Sequence, residues 1–173
     1  AFMKNMTQFY NWIGPGSSYL TSEITASFLY AQLREAHSIT DNRRSIWNRY
    51  HQFFMSKNYK GIRLPPSDSG CHGGNGHIYY IILQSKSDRD QLIENLSSLN
   101  ITSVFHYIPL HSSPMGQLVG RQATEMQVTD MASSRMVRLP IWVGIQDHLE
   151  RIFGAIEVCL GLVSVQHQHS LID

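Results

Sequence analysis

Charge is scarce in this chain. Lysine and arginine number 14 and aspartate and glutamate 13 in 173 residues, so 16% of the sequence is charged, where about a quarter is usual in soluble domains. The surface must therefore be unusually rich in neutral polar groups or be covered by something. A net charge of +1 leaves no basic footprint for a nucleic acid or an anionic membrane, and neither is expected as a partner. Cysteine is scarcer still. Cys71 and Cys159 are too few for a disulfide framework or a four-thiolate zinc site, which points to a reducing compartment, the cytoplasm by default. Long apolar runs are missing too: the best candidate, Ile152 to Val165, contains Glu157 and falls short of the roughly 20 residues of a membrane helix. The N-terminus has no signal-peptide core. There is no GxSxG elbow, neither cysteine has a protease context, and Glu23, Asp41, Glu125 and Asp130 form no recognisable acid/base pair.

Apolar residues make up 42% of the chain, enough for the core of one domain. Thr21 to Ala36 reads as a helix with Thr21 as N-cap and Ile24, Phe28 and Ala31 along one face. A second helix starts at Ser38 or Thr40 and carries Ile39, Ile46, Trp47, Tyr50, Phe53 and Phe54, making an αα unit. Pro65, Pro66 and SDSGCHGGNG then mark a long loop. His77 to Leu83 is a continuous β-branched and aromatic run, the pattern of a strand buried on both faces. Ser87 is placed to cap a helix bearing Leu92, Ile93, Leu96 and Leu99 and stopping at Asn100. Further strands are expected at Ile101 to Tyr107 and Val137 to Leu139, and a last helix from an Asp147/Glu150 capping box to about Leu162. The order αα-β-α-β-α-β-α predicts an α/β (α+β) sandwich with one sheet covered by helices.

Two constellations could carry chemistry. Gly14-Pro15-Gly16-Ser17-Ser18 leads into the helix at Thr21, so free N–H groups, hydroxyls and the helix dipole together favour an anion. The same residues also serve as a plain N-cap, since a Walker lysine and a third glycine are both missing. The second is histidine-centred: His77 opens one strand and His106-Tyr107-Ile108-Pro109-Leu110-His111 closes another. His77, His106, Tyr107 and His111 either line one pocket at the strand ends or are structural histidines satisfied by backbone carbonyls. Cys71, His72 and His77 match zinc by ligand type, but their spacing fits no paired-ligand pattern.

Read together, these blocks resemble the DegT/DnrJ/EryC1/StrS sugar aminotransferases. The likeness starts with YNWIGPGSSYLTSEITASFLYAQL, Tyr10 to Leu33. It continues in order through R-x-x-I-W-x-x-Y at Arg43 to Tyr50, N-x-H-x-Y-Y-I at Asn75 to Ile81, V-F-H-Y-I-P-L-H-S-S-P at Val104 to Pro114, and R-L-P at Arg138 to Pro140. The resemblance implies a fold-type-I enzyme in which pyridoxal 5'-phosphate (PLP) takes an amino group from glutamate and passes it to the 4-keto carbon of a nucleotide-linked deoxysugar. It implies that Gly16, Ser17 and Ser18 reach across a homodimer to the neighbouring subunit's PLP phosphate, with Ser18 where many relatives have Asn. It places His106, Tyr107 and His111 toward the nucleotide-sugar substrate and assigns Asn75 and His77 no role.

One departure from the family pattern dominates. The family's Schiff-base lysine, its aspartate for the pyridine nitrogen and its stacking aromatic ring lie upstream of the block at Tyr10 to Glu23. The lysines here, Lys4, Lys57, Lys60 and Lys86, stand outside that context. The resemblance therefore implies an N-terminal arm with the phosphate loop over 1–20 and the C-terminal small domain over 21–165, and the polar run from Gln166 reads as a disordered tail over 166–173. A start at Ala1 and a low charge content are what a cut at a domain boundary leaves. Two readings stand: part of an aminotransferase, inactive until joined to an N-terminal half or second subunit of the same enzyme, or a non-catalytic remnant or structural subunit that pairs with a complete aminotransferase.

Overall fold

A computed structural model describes residues 20–66 and 74–169, with side chains described as far as Gly161. The chain divides into two compact units, Ala1–Ala36 and His37–Asp173. The described part of the first is helix α1, Glu23–Arg34, capped by Ser22, whose Oγ accepts from the Thr25 N–H, and not by Thr21. Ser22 wins because its extended backbone lets its hydroxyl turn back onto the first free N–H groups. The predicted apolar stripe is present and exposed: Ile24, Phe28 and Ala31 all face solvent, and α1 buries no residue.

The second unit is built on helix α2, Ala36–Lys57, which begins earlier than Ser38 or Thr40. Then come β1 (Tyr79–Ile82), α3 (Lys86–Ser98), β2 (Val104–Phe105), α4 (Pro114–Val119), α5 (Gln127–Arg135), β3 (Met136–Leu139) and α6 (Leu149–His169). The three strands form one antiparallel sheet in the order β1-β3-β2, with Tyr79 opposite Leu139 and Val104 opposite Arg138. Backbone N–H groups of Arg63 and Ile82 each donate to the other's carbonyl at 2.9 Å, covering the outer edge of β1. This leaves less of that edge open to a stray strand.

Alternation along the strands decides which face is covered. Tyr79, Ile81, Val137 and Leu139 point into the core, while Tyr80, Ile82, Met136 and Arg138 lie half-buried on the other face. The strand expected to be buried on both faces is therefore buried on one, because helices cover a single side of the sheet. Ile46, Tyr50 and Phe54 of α2, Leu92 and Leu96 of α3, and Leu149, Ile152 and Ile156 of α6 fill that side. Each such side chain contributes about 1.5–3 kcal/mol by leaving water. The Tyr79 ring stacks on Tyr50 (centroids 5.2 Å apart) and Phe54 (5.9 Å), and Phe53 stacks on Phe153 (4.5 Å).

Other boundaries shift for local reasons. Ser85, not Ser87, caps α3: its Oγ accepts from the Asp88 N–H and the Asp88 carboxylate accepts from the Ser85 N–H, both at 3.0 Å. At the other end Asn100 turns to φ +56°, with Ile101 N–H donating to Leu96 and Asn100 N–H to Ser97, a left-handed stop. The expected strand Ile101 to Tyr107 shrinks to Val104–Phe105, since it has one neighbour only, β3. Asp147 lies inside a 3-10 turn, Ile145–His148, that precedes α6, so it caps nothing. α6 is continuous to His169, past Gln166 where the tail was expected; 170–173 lie outside the described residues.

Candidate functional site

The motif blocks converge in the second unit. α2 carries R-x-x-I-W-x-x-Y: Ile46 and Tyr50 are core, and Trp47 stacks on His51 at 4.9 Å. The Tyr50 hydroxyl donates to the Pro140 carbonyl, joining this block to R-L-P. Gly76, in the block that holds Asn75 and His77, sits against the α2 backbone at Arg43 with φ +63°, and a Cβ there would lie 2.7 Å from the Arg43 carbonyl carbon. Two of the motifs are thus mainly devices that set strand ends against α2.

At those ends, Asn75 has a role that sequence did not assign. Its Oδ1 accepts from the His77 backbone N–H (3.2 Å) and from the His77 ring Nδ1–H, which orients the imidazole and leaves Nε2 outward. His77, Thr102, Val104 and Arg138 line a pocket of about 180 Å³ on the uncovered side of the sheet. The Arg138 guanidinium lies 5.5 Å from the centroid of the Tyr107 ring, a cation–π contact. The His106 ring packs against Tyr107, its Nδ1 is buried without a hydrogen-bond partner, and burial, helped by the Arg138 charge, holds its pKa below the ordinary imidazole value. Neutral His106 is the form this setting favours.

His111 belongs to a different cleft. It lies in a 3-10 turn, Leu110–Ser112, and donates from Nε2 to Oδ1 of Asp130 on α5 at 2.9 Å. A carboxylate can only accept, so Nε2 carries a proton in this bond, which fixes the orientation of the ring. Beside the pair, Leu110, Gln117, Arg121 and Gln122 line an open cleft of about 560 Å³. Of the four residues read as either lining one pocket or structural, His77 and His111 therefore line different cavities and His106 and Tyr107 line neither of these two, the 3-10 turn Leu110–Ser112 setting His111 apart from the end of β2. The sequence reading held Arg138 only as part of R-L-P, Asp130 only among carboxylates that form no acid/base pair, and Arg121 not at all, so none of the three was offered as a site residue. For Arg138 the signal was a charged residue within a short strand; for the other two there was none, since α4 and α5 were not delimited in advance.

Gly16, Ser17, Ser18, Cys71 and His72 lie outside the described residues. Among the described residues no group of three or more His, Cys, Asp or Glu is placed to hold a metal ion, and no helix is long and apolar enough to cross a membrane. Lys57 pairs with Glu157 and Lys86 with Asp90, and no described lysine lines either cavity.

An antiparallel sheet under three helices, carrying these motif blocks at its open ends, is an aminotransferase small-domain arrangement. The model of the DegT/DnrJ/EryC1/StrS aminotransferase family matches residues 2–157, and the chain belongs to that family. It is 24% identical over 132 residues to dTDP-4-dehydro-2,3,6-trideoxy-D-glucose 4-aminotransferase of Saccharopolyspora spinosa, an alignment covering 76% of this chain and 32% of that protein. The fold is similar to aminotransferase TlmJ from Streptoalloteichus hindustanus (TM-score 0.73, 23% identity, 84% of this chain and 38% of that one). It is also similar to the putative sugar aminotransferase Spr1654 from Streptococcus pneumoniae in its PMP form (TM-score 0.74, 20% identity, 85% and 37%). The chain spans about a third of the length of the curated relatives it matches.

Proposed function

We propose that this chain is the C-terminal portion of a PLP-dependent aminotransferase acting on a nucleotide-linked 4-keto-6-deoxyhexose, with glutamate as amino donor. Its motif strings resemble those of dTDP-4-amino-4,6-dideoxygalactose transaminase, which suggests a cytoplasmic role in surface-polysaccharide or lipopolysaccharide synthesis. One observation carries the reading. Motif blocks that lie far apart in sequence meet at the open end of one small sheet, around His77, Arg138 and Tyr107, with the His111–Asp130 cleft as a further part of the same unit. A cleft of about 560 Å³ lies within the roughly 300–1,000 Å³ range of small-molecule sites and suits a nucleotide sugar.

In this reading Gly16, Ser17 and Ser18 donate backbone and hydroxyl hydrogen bonds to the PLP phosphate of the other subunit of a homodimer. PLP, when bound, supplies the electron sink for amino transfer, and the lysine that holds it comes from an N-terminal half or a second subunit of the same enzyme. His106, Tyr107 and His111 contact the sugar nucleotide, the ring of His111 being held in place by Asp130. The large apolar side chains that α1 leaves exposed, Ile24 and Phe28 among them, support a helix meant to be covered in assembly.

The test is co-production with the lysine-bearing N-terminal portion of a family aminotransferase. A yellow, PLP-loaded complex that transfers an amino group to a 4-keto sugar nucleotide is expected, with neither property in the chain alone. Failure to take up PLP in any such pairing would overturn the proposal in favour of a structural subunit.

A further inference from the structure

The turn just before β1 holds a reactive pair. Asn75 is the only asparagine of this chain that glycine follows. Every other one precedes a residue whose side chain crowds the next peptide nitrogen, from Arg43 after Asn42 to Ile101 after Asn100. Gly76 has no such side chain, and the fold requires it that way: φ is +63° and a Cβ would lie 2.7 Å from the Arg43 carbonyl carbon. Asn75 itself is exposed, and so is Gly74, where a Cβ would meet nothing within 4 Å. Water therefore reaches the carboxamide. The carboxamide is also aimed: its Oδ1 accepts from the His77 backbone N–H at 3.2 Å and from the His77 ring Nδ1–H. These bonds fold the side chain back over the Gly76 peptide unit in the manner of an Asx turn. Both donors meet the atom that would carry negative charge if a nucleophile added to Cγ, which is the arrangement of an oxyanion hole.

We propose that Asn75 is a site of self-modification: the Gly76 backbone nitrogen displaces the side-chain amide, and water opens the resulting succinimide to aspartate or isoaspartate. Solvent hydroxide takes the proton of the Gly76 N–H. The nitrogen's electron pair forms a bond to Cγ while the carbonyl π pair moves onto Oδ1, where the two His77 donors hold it. That pair then returns, the Cγ–Nδ2 bond breaks, and Nδ2 leaves with the bonding pair and takes a proton from water to become ammonia. Water adds to either imide carbonyl, and the N–C bond there breaks to give a carboxylate and restore an N–H. The net change consumes a water and releases an ammonia, with nothing oxidised or reduced. The aspartate product accepts the same hydrogen bonds with a full negative charge, and charge-assisted bonds are the stronger ones, so the turn holds its product better than its amide. Isoaspartate lengthens the main chain by a methylene and shifts Gly76 off its seat on α2. Either product puts a carboxylate beside His77, at the rim of the pocket that His77 shares with Thr102 and Val104, and changes the charge there without a second protein. The proposal holds whether or not the chain is completed into an aminotransferase.

The experiment is peptide mapping by mass spectrometry of the purified, folded chain held in mildly alkaline water enriched in heavy oxygen. Asn75 is expected to lose its amide ahead of Asn42, Asn48, Asn58, Asn95 and Asn100, with release of ammonia and uptake of a single heavy oxygen, as two isomeric peptides that chromatography separates. By NMR the His77 ring resonances of the aspartate isomer should coincide with those of Asn75→Asp. His77→Ala, which takes away the ring donor, should slow the loss. Retention of the Asn75 amide in the folded chain for as long as Asn100 keeps its own overturns the proposal. So does a loss that appears only after unfolding in urea, because the turn would then be a shield and not a cradle. An unchanged rate in a folded His77→Ala removes the ring from the step and overturns the assisted mechanism. Should His77→Ala fail to fold, the comparison of folded with urea-unfolded unaltered chain decides alone.

Discussion

The Tyr50 hydroxyl donates to the Pro140 carbonyl at 2.9 Å, from the middle of α2 to the residue that follows β3. Burial pushes the phenol well above its ordinary range, so the group remains a donor at any pH the fold survives. Tyr50→Phe keeps the ring stack on Tyr79 and removes only this bond, leaving a carbonyl short of a partner. A loss of about 1–2 kcal/mol in stability is expected from urea unfolding. Tyr50→Ala, which also opens a cavity, should cost about 3–5 kcal/mol.

Gly76 makes a sharper backbone test. Its φ of +63° and the 2.7 Å approach to the Arg43 carbonyl carbon exclude a Cβ on two independent grounds. Gly76→Ala is expected to destabilise by about 1–3 kcal/mol and to broaden or shift the NMR resonances of His77, because the strand end can no longer rest on α2. Unchanged stability together with an unchanged His77 would refute this account of the turn.

Acid sensitivity follows from two histidines. Burial lowers the pKa of both His51 and His106, with the Arg138 charge as a second cause at His106. Each takes up a proton less readily folded than unfolded, so the unfolded chain binds more protons on acidification. Their contribution to stability is therefore fully present above about pH 6.5, the unfolded imidazole value, and is lost as the pH falls toward their folded pKa values. Urea midpoints measured from pH 8 to pH 5 should decline through that window, and His106→Gln should flatten the decline.

The proposed role of Ser17 and Ser18 gives a prediction about the proposed assembly. If Ser17 and Ser18 hold the cofactor phosphate, replacing both with Ala in a PLP-loaded complex should weaken PLP binding by roughly tenfold for each charge-assisted bond lost, about 1.5 kcal/mol apiece. Equilibrium dialysis of the cofactor reads this directly. Wild-type affinity in the double variant would remove these residues from the site.

What could be read in advance was whatever has a local period or a local string. The apolar spacing of α2, α3 and α6, the stop at Asn100 and the antecedents of the three strands are visible in the order of residues, because helix faces and left-handed stops depend on neighbours a few positions away. The family was legible for the same reason: its motifs are contiguous. Capping was read less well. Ser22 and Ser85 displaced Thr21 and Ser87, since neighbouring hydroxyls compete and backbone geometry alone picks the winner.

The sequence by itself determined the class of this protein: a mixed helix and strand domain with the motif order of a sugar-aminotransferase family and few lysines. Only the tertiary structure decided that helices cover one side of the sheet, that His111 pairs with Asp130 nineteen positions away, and that Arg138 borders a small pocket with its Nε given no acceptor among the described residues. These are relations across space. The free energy of a buried guanidinium or a paired imidazole depends on which groups the fold brings within a few ångströms, and spacing along the chain does not carry that information.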